Sequence, residues 1–181
     1  TIAAFREWAV RDARAFWETL PVATWPRGVR LAWEAARERL RYLDEVGLGY
    51  LTLARAARTL SGGELQRIRL TTALGVELTQ TLFVLEEPTA GLHARDVDRV
   101  IAAMRRLVAL GNTVVVIEHD PQVIAAADWV VDLGPGSGER GGSLVFAGPP
   151  SALAAHPTSL TGRYLRRWHE RWAADRNAVA S

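Results

Sequence analysis

Two short, nearly unbroken apolar runs constrain the fold more than any other feature: Thr-Leu-Phe-Val-Leu at residues 81–85 and Thr-Val-Val-Val-Ile at residues 113–117. Each is followed by polar residues, the pattern of a strand buried on both faces and open at its carboxyl end. Between them Val97, Val100, Ile101, Met104, Leu107 and Val108 recur at helical spacing, and Gly111-Asn112 supplies a C-cap before the second run. Strand, helix and strand in that order predict a parallel pair with a crossover helix, and both runs are expected as central strands of an α/β sheet.

Upstream, Phe5, Trp8, Ala9, Ala13, Phe16, Trp17 and Leu20 fall near one helical face, predicting an amphipathic helix over residues 3–20. Pro21 and the Trp25-Pro26-Arg27-Gly28 stretch break it, and Val29, Trp33, Ala36, Leu40 and Leu43 predict a second helix that stops at Gly47 and Gly49. The pair reads as a helical hairpin with aromatic stripes for packing. Downstream, residues 129–133 and 143–147 read as strands flanking a glycine-rich connection, and residues 159–176 as a last helix carrying Tyr164, Leu165, Trp168 and Trp172. Arg163, Arg166, Arg167, Arg171 and Arg176 interleave with these aromatics, a composition suited either to gripping phosphates or to an ordinary solvated face. The domain reading is a helical arm over 1–46, an α/β unit over 47–157 and a basic aromatic helical tail over 158–181.

Composition removes whole classes of chemistry. There is no cysteine, which excludes disulfides, thiolate zinc sites, iron–sulfur clusters and cysteine nucleophiles. All 22 cations are arginine, so no phosphate-loop lysine of the G-x-x-x-x-G-K-[ST] kind exists in the sequence. A net charge of +2 is too small to argue for nucleic acid by itself. No apolar run approaches the roughly 18 residues a membrane span needs, and no signal-peptide pattern opens the chain, so the expectation is a soluble cytoplasmic protein with no membrane contact.

The chemistry concentrates in three places. Ser61-Gly62-Gly63-Glu64 precedes a helical pattern, with serine and glutamate at capping-box spacing. The first turn of that helix would present free N–H groups and the positive end of the dipole, and two glycines would let the backbone approach an anion. Glu86 and Glu87 follow the first apolar run, and His119 follows the second. A decoy, Gly136-Ser137-Gly138-Glu139-Arg140-Gly141, matches G-x-G-x-x-G; a strand-like run follows it where a dinucleotide site needs a helix, so it reads as a turn.

Taken in order, these strings resemble the ABC-type ATPases. Leu60-Ser61-Gly62-Gly63-Glu64-Leu65-Gln66-Arg67 is similar to their signature motif, and Phe83-Val84-Leu85-Glu86-Glu87-Pro88 to their Walker B strand. Ala90-Gly91-Leu92-His93 stands at the D-loop position and His119 at the switch-histidine position. Within that superfamily, Gly47-Leu48-Gly49-Tyr50-Leu51, the stretch from Gly111 to Asp120, Asp132-Leu133-Gly134-Pro135-Gly136 and Thr161-Gly162-Arg163-Tyr164-Leu165 resemble the UvrA family, the damage-sensing ATPases of bacterial nucleotide-excision repair. The His93-x-Arg95-Asp96 form and the lack of cysteine resemble the first of that family's two nucleotide-binding domains. A transporter or drug-resistance ATPase component is the alternative reading.

The resemblance implies a fold: part of an ABC-ATPase (P-loop NTPase-like) parallel sheet with flanking helices, preceded by the helical hairpin. It implies ATP and Mg²⁺ as cofactors. Ser61, Gly62 and Gly63 would face the γ-phosphate held by a second nucleotide-binding domain, with Gln66 helping to position the loop. Glu87 would orient or deprotonate the attacking water, His119 would sense the γ-phosphate, and Gly91, Leu92 and His93 would form the D-loop. Glu86 would hold Mg²⁺ through water; the family has aspartate there, and the longer side chain reaches farther by roughly 1.5 Å. Damaged double-stranded DNA and a UvrB-like protein are the implied partners. The phosphate loop and Q-loop that precede the signature in such proteins are not in this sequence, so the chain is expected to be a fragment without ATPase activity of its own.

Overall fold

The computed structural model describes residues 1–76, 78–136 and 141–179, without the side chains of residue 173 and residues 175–179. It divides into two compact units, residues 1–118 and 119–181.

The first unit opens with α1 (Ile2–Arg6) and α2 (Val10–Glu18), followed by α3 (Arg27–Glu45). The single helix expected over 3–20 is therefore two. The chain goes extended at Ala9, which bridges antiparallel to Thr52. Val10 N–H donates to the Leu51 carbonyl at 2.8 Å and Ala54 N–H to the Arg6 carbonyl at 2.8 Å. These pairings satisfy backbone groups that a continuous helix would have paired internally, so a tertiary partner overrides the local periodicity.

The hairpin of α2 and α3 forms as expected. Val10, Ala13 and Leu40 make its core, with Phe5, Trp17, Leu43 and Leu53 packed against them. Its aromatics also hydrogen-bond: Trp17 Nε1–H donates to the Trp33 carbonyl at 3.2 Å, and Trp33 Nε1–H to the Trp17 carbonyl at 3.1 Å. Arg14 closes the far end on Asp44 at 2.7 Å.

Next come α4 (Gly62–Gly75), β1 (Leu82–Glu86), α5 (Ala94–Ala109) and β2 (Thr113–Ile117). β1 and β2 pair in parallel, Leu82 opposite Thr113 and Glu86 opposite Ile117. α5 buries Val97, Val100, Ala103, Met104 and Leu107; of the stripe read from the sequence, Ile101 is half-buried and Val108 exposed. Gly111 takes φ +84° just past the helix end. Asn112 then splices the crossover to the sheet. Its amide donates to the Leu78 and Leu107 carbonyls at 2.6 and 3.0 Å, and its oxygen accepts Thr81 N–H at 3.0 Å.

One expectation fails here: the strands are not buried on both faces. Leu82, Val84, Val115 and Ile117 are exposed, whereas Phe83, Leu85, Val114 and Val116 are covered or half-covered. Among the described residues this sheet has two strands, so both are edges, and α4 and α5 contact it from the covered side.

The second unit holds α6 (Pro121–Ala126), β3 (Val130–Gly134), β4 (Ser143–Gly148), α7 (Pro150–Ala155) and α8 (Leu160–Val179). β3 and β4 pair antiparallel, with a register shift between Asp132 and Leu133. The G-x-G-x-x-G string is thus flanked by strands; Ser137 to Arg140 lie outside the described residues. Asp132 anchors α8 by accepting Ser159 Oγ–H at 2.6 Å and Thr161 Oγ1–H at 2.8 Å. A Cβ on Gly162 would stand 2.1 Å from the Leu153 carbonyl oxygen, so only glycine lets α8 approach α7 this closely. No helix among the described residues is long and apolar enough to cross a membrane.

Candidate functional site

The N-terminus of α4 is built by local chemistry. Ser61 is the N-cap: its Oγ accepts Glu64 N–H at 3.3 Å, and Glu64 Oε2 accepts Ser61 N–H at 2.7 Å, closing the capping box. Glu64 is buried at 6% exposure, and its other oxygen accepts the Tyr50 hydroxyl at 2.5 Å. The Tyr50 bond, then the Ser61 N–H, hold the Glu64 carboxyl below its ordinary pKa, while burial and the same carboxylate push the Tyr50 hydroxyl up. Glu64 is therefore ionised at neutral pH and Tyr50 is a fixed donor.

The two glycines have different jobs. Gly62 is exposed and a Cβ there would meet nothing within 4 Å, so its N–H, one of the first-turn donors without an intrahelical partner, is open to a ligand. Gly63 is buried, and a Cβ on it would stand 2.8 Å from the Ala90 carbonyl oxygen and 3.2 Å from Ala90 Cβ. A side chain would thus find open space at Gly62, whereas Gly63 clears space for the turn after β1.

Arg67, one helical turn further along the same face, completes that contact. It is 2% exposed, and Nη1–H donates to the Pro88 and Ala90 carbonyls, each at 3.1 Å. Burial lowers its pKa from the ordinary guanidinium value, against the opposing pull of Tyr50 and Glu64. The sequence carried a signal for this: Gly63, Arg67, Leu70, Thr71 and Leu74 share the buried face of α4, so the arginine sits inside an otherwise small and apolar stripe.

Glu86 ends β1 and is exposed; Glu87, also exposed, lies just past it. Glu87 has φ +43°, a left-handed conformation unusual for a residue with a Cβ. Its N–H is tied to the Ile117 carbonyl at 2.9 Å and its carbonyl accepts Ala90 N–H at 3.0 Å, which hold it there. Thr89 adds a second tie: its N–H and hydroxyl both donate to Glu118 Oε1, at 3.0 and 2.5 Å. Gly91 follows at φ +74°, half-exposed Leu92 points toward Gly47, and His93 caps α5 by accepting Arg95 N–H on Nδ1 at 3.2 Å.

The first unit therefore brings Ser61 and Gly62 into one body with the turn carrying Glu86 and Glu87, through Gly63, Arg67 and Ala90. Gln66 lies half-exposed in the second turn of α4. His119 is exposed and opens the second unit, where Asp120 caps α6 by accepting Gln122 N–H at 2.8 Å. Sequence reasoning gave no separate role to Tyr50, Arg67, Thr89 or Glu118.

Among the described residues no three His, Asp or Glu side chains stand together as a metal cage. Mg²⁺ in phosphoryl-transfer sites is held by one or two carboxylates with substrate phosphates, so the exposed Glu86–Glu87 pair fits that partial donor set. The open Gly62 backbone beside an exposed serine likewise fits a phosphate.

No protein-family model matches the chain. It is 49% identical over 160 residues to UvrABC system protein A of Bacillus subtilis and 51% identical over 160 residues to that of Thermus thermophilus. These alignments cover 88% and 87% of this chain, but only 17% of either relative. The protein of the same name from Aquifex aeolicus is 57% identical over 128 residues. The crystal structure of UvrA2 from Deinococcus radiodurans superposes with a TM-score of 0.81 at 37% identity, over 91% of this chain and 22% of that one. Across most of its residues, though over about a sixth of its relatives' length, the chain belongs to the UvrA family.

Proposed function

We propose that this chain supplies the signature side and the catalytic strand of composite ATP sites in a DNA-damage-recognition ATPase of nucleotide-excision repair. The observation that carries the reading is the rigid link between an open, serine-capped helix N-terminus and a strand tip bearing two exposed carboxylates. Ser61 Oγ and the Gly62 N–H would bind the γ-phosphate of a nucleotide seated on a second nucleotide-binding domain, where helix-terminus electrostatics favour the anion. Gly63 keeps that terminus seated on the Ala90 turn.

Glu87, held in a left-handed backbone conformation just past the strand end, orients the attacking water and accepts its proton. Glu86 would hold Mg²⁺ through water, and the ion would supply neutralisation of the phosphate charge. His119, at the head of the second unit, contacts the γ-phosphate and registers its loss. Gly91, Leu92 and His93 form the D-loop, fixed to α5 by the His93 cap. Damaged duplex DNA is the macromolecular substrate and a UvrB-like protein the partner of the complete assembly, read from the family. In that assembly lesions are sensed through duplex deformability.

A chain without lysine has no phosphate-loop lysine, so the 181 residues alone turn over no ATP. The test uses the full-length protein. Glu87→Gln should retain MgATP binding and lose at least about 100-fold in turnover, as removal of a general base does. Damaged duplex should stimulate the unaltered protein more than intact duplex does. Glu87-dependent turnover by the 181-residue chain alone, or a Glu87→Gln protein with full activity, refutes the assignment.

A further inference from the structure

The capping box at Ser61 has a third member from outside its helix. Tyr50 donates its hydroxyl to Glu64 Oε1 at 2.5 Å while Glu64 Oε2 accepts Ser61 N–H at 2.7 Å, so one buried carboxylate is held from both sides. Leu48 and Leu51, flanking Tyr50, are buried at 0% and 6% exposure and fix the tyrosine's backbone. Two cations face the pair: Arg55, whose Nη2 lies 4.0 Å from Oε2, the same oxygen that holds the serine, and Arg67, which meets the Tyr50 hydroxyl.

From this arrangement we infer that Tyr50 is a positioning residue for the nucleotide-facing serine. It acts through Glu64 and touches no nucleotide. A buried carboxylate needs donors on both oxygens. With the tyrosine hydroxyl present, the Glu64 carboxylate stays oriented along the helix start, and the Ser61 backbone is restrained with its hydroxyl and the Gly62 N–H facing outward. Without it, the carboxylate is short of one donor and turns toward Arg55, releasing Ser61 N–H. The helix survives, because the remaining turns of α4 are untouched and Arg67, though it loses its contact with the tyrosine hydroxyl, keeps the Pro88 and Ala90 carbonyls. What is lost is the fixed aim of the N-cap, and only a ligand reaching that cap, the γ-phosphate, feels it.

The inference rests on the reading of Ser61 as a γ-phosphate contact, and the experiment separates the two. In the full-length protein carrying Glu87→Gln to slow hydrolysis, equilibrium affinities for MgATP and MgADP are compared. Tyr50→Phe should weaken MgATP by about 3- to 10-fold, the effect of one lost hydrogen bond, with MgADP within about twofold. Adding Arg55→Gln removes the competing cation and should recover most of the MgATP loss. Ser61→Ala, in the same background, should weaken MgATP selectively.

If Ser61→Ala is selective and Tyr50→Phe leaves the ratio of the two affinities unchanged, Tyr50 has no positioning role and the serine assignment stands. Equal weakening of both nucleotides by Tyr50→Phe marks a merely structural residue, and absence of recovery by Arg55→Gln counts against the carboxylate route; either overturns the inference. If Ser61→Ala is itself without effect, the serine assignment falls and takes the inference with it.

Discussion

A methyl group on Gly63 would stand 2.8 Å from the carbonyl oxygen of Ala90, so the second glycine after Ser61 is in backbone contact with the turn beyond β1. A methyl group on neighbouring Gly62 would meet nothing within 4 Å. The Gly63→Ala protein should lose about 1–3 kcal/mol by overpacking, read from denaturant midpoints. Gly62→Ala should be close to neutral in stability while weakening MgATP. Equal stabilities for the two variants would show that α4 and the Ala90 turn are not in this contact.

Arg67 is the other half of that contact. Arg67→Met should cost about 3 kcal/mol, because it removes charge-assisted donors from two backbone carbonyls. Arg67→Lys keeps the charge but loses the planar fork, and should fall between the two. Urea denaturation gives the ranking, and a Met variant as stable as the parent would deny the latch.

Acid sensitivity should trace to Glu64. Its carboxyl titrates below the ordinary 4.5, held there first by Tyr50 and then by Ser61 N–H. The unfolded chain therefore binds the proton more readily, so this group's stabilisation is fully present above the ordinary value and is lost as pH falls through the folded one. Unfolding free energy should drop less steeply between about pH 5 and 3 in Glu64→Gln than in the parent. Parallel slopes would contradict the depressed pKa.

The helical hairpin offers a double-mutant cycle. Trp17 and Trp33 each donate an indole N–H to the other's carbonyl. Trp17→Phe and Trp33→Phe should each cost about 1 kcal/mol or somewhat more, and a non-additive double variant would report their coupling. Strict additivity would mean the two bonds form independently.

Glu86 should set the metal requirement. Shortening it by one carbon, Glu86→Asp, gives the carboxylate length that the resemblance implies at this position. In the full-length protein it should lower the Mg²⁺ concentration needed for half-maximal turnover by about threefold or more. An unchanged Mg²⁺ titration would remove side-chain length as a determinant.

Much of the architecture was written in local patterns. The crossover helix, the parallel pair, the Ser61–Glu64 capping box and the Gly111 stop are each specified within a few residues, by helical spacing, a serine three positions before a glutamate, or a glycine free to take positive φ. The family resemblance was legible for the same reason, since the strings that carry it are contiguous. The break at Ala9 was not: helical periodicity ran through it, and only a backbone partner at Thr52, far along the chain, made the extended form win.

What the sequence determined by itself, then, was where a strand, a helix and an anion-ready helix terminus stand in order, because those depend on neighbours along the backbone. Tertiary structure alone decided which glycine faces solvent and which faces Ala90, that Arg67 serves the turn after β1, and that Tyr50 reaches the Ser61 cap. The physical reason is that a side chain's role follows from the atoms that meet it across space, and hydrogen bonds and steric contacts between distant segments leave no periodic trace in either one.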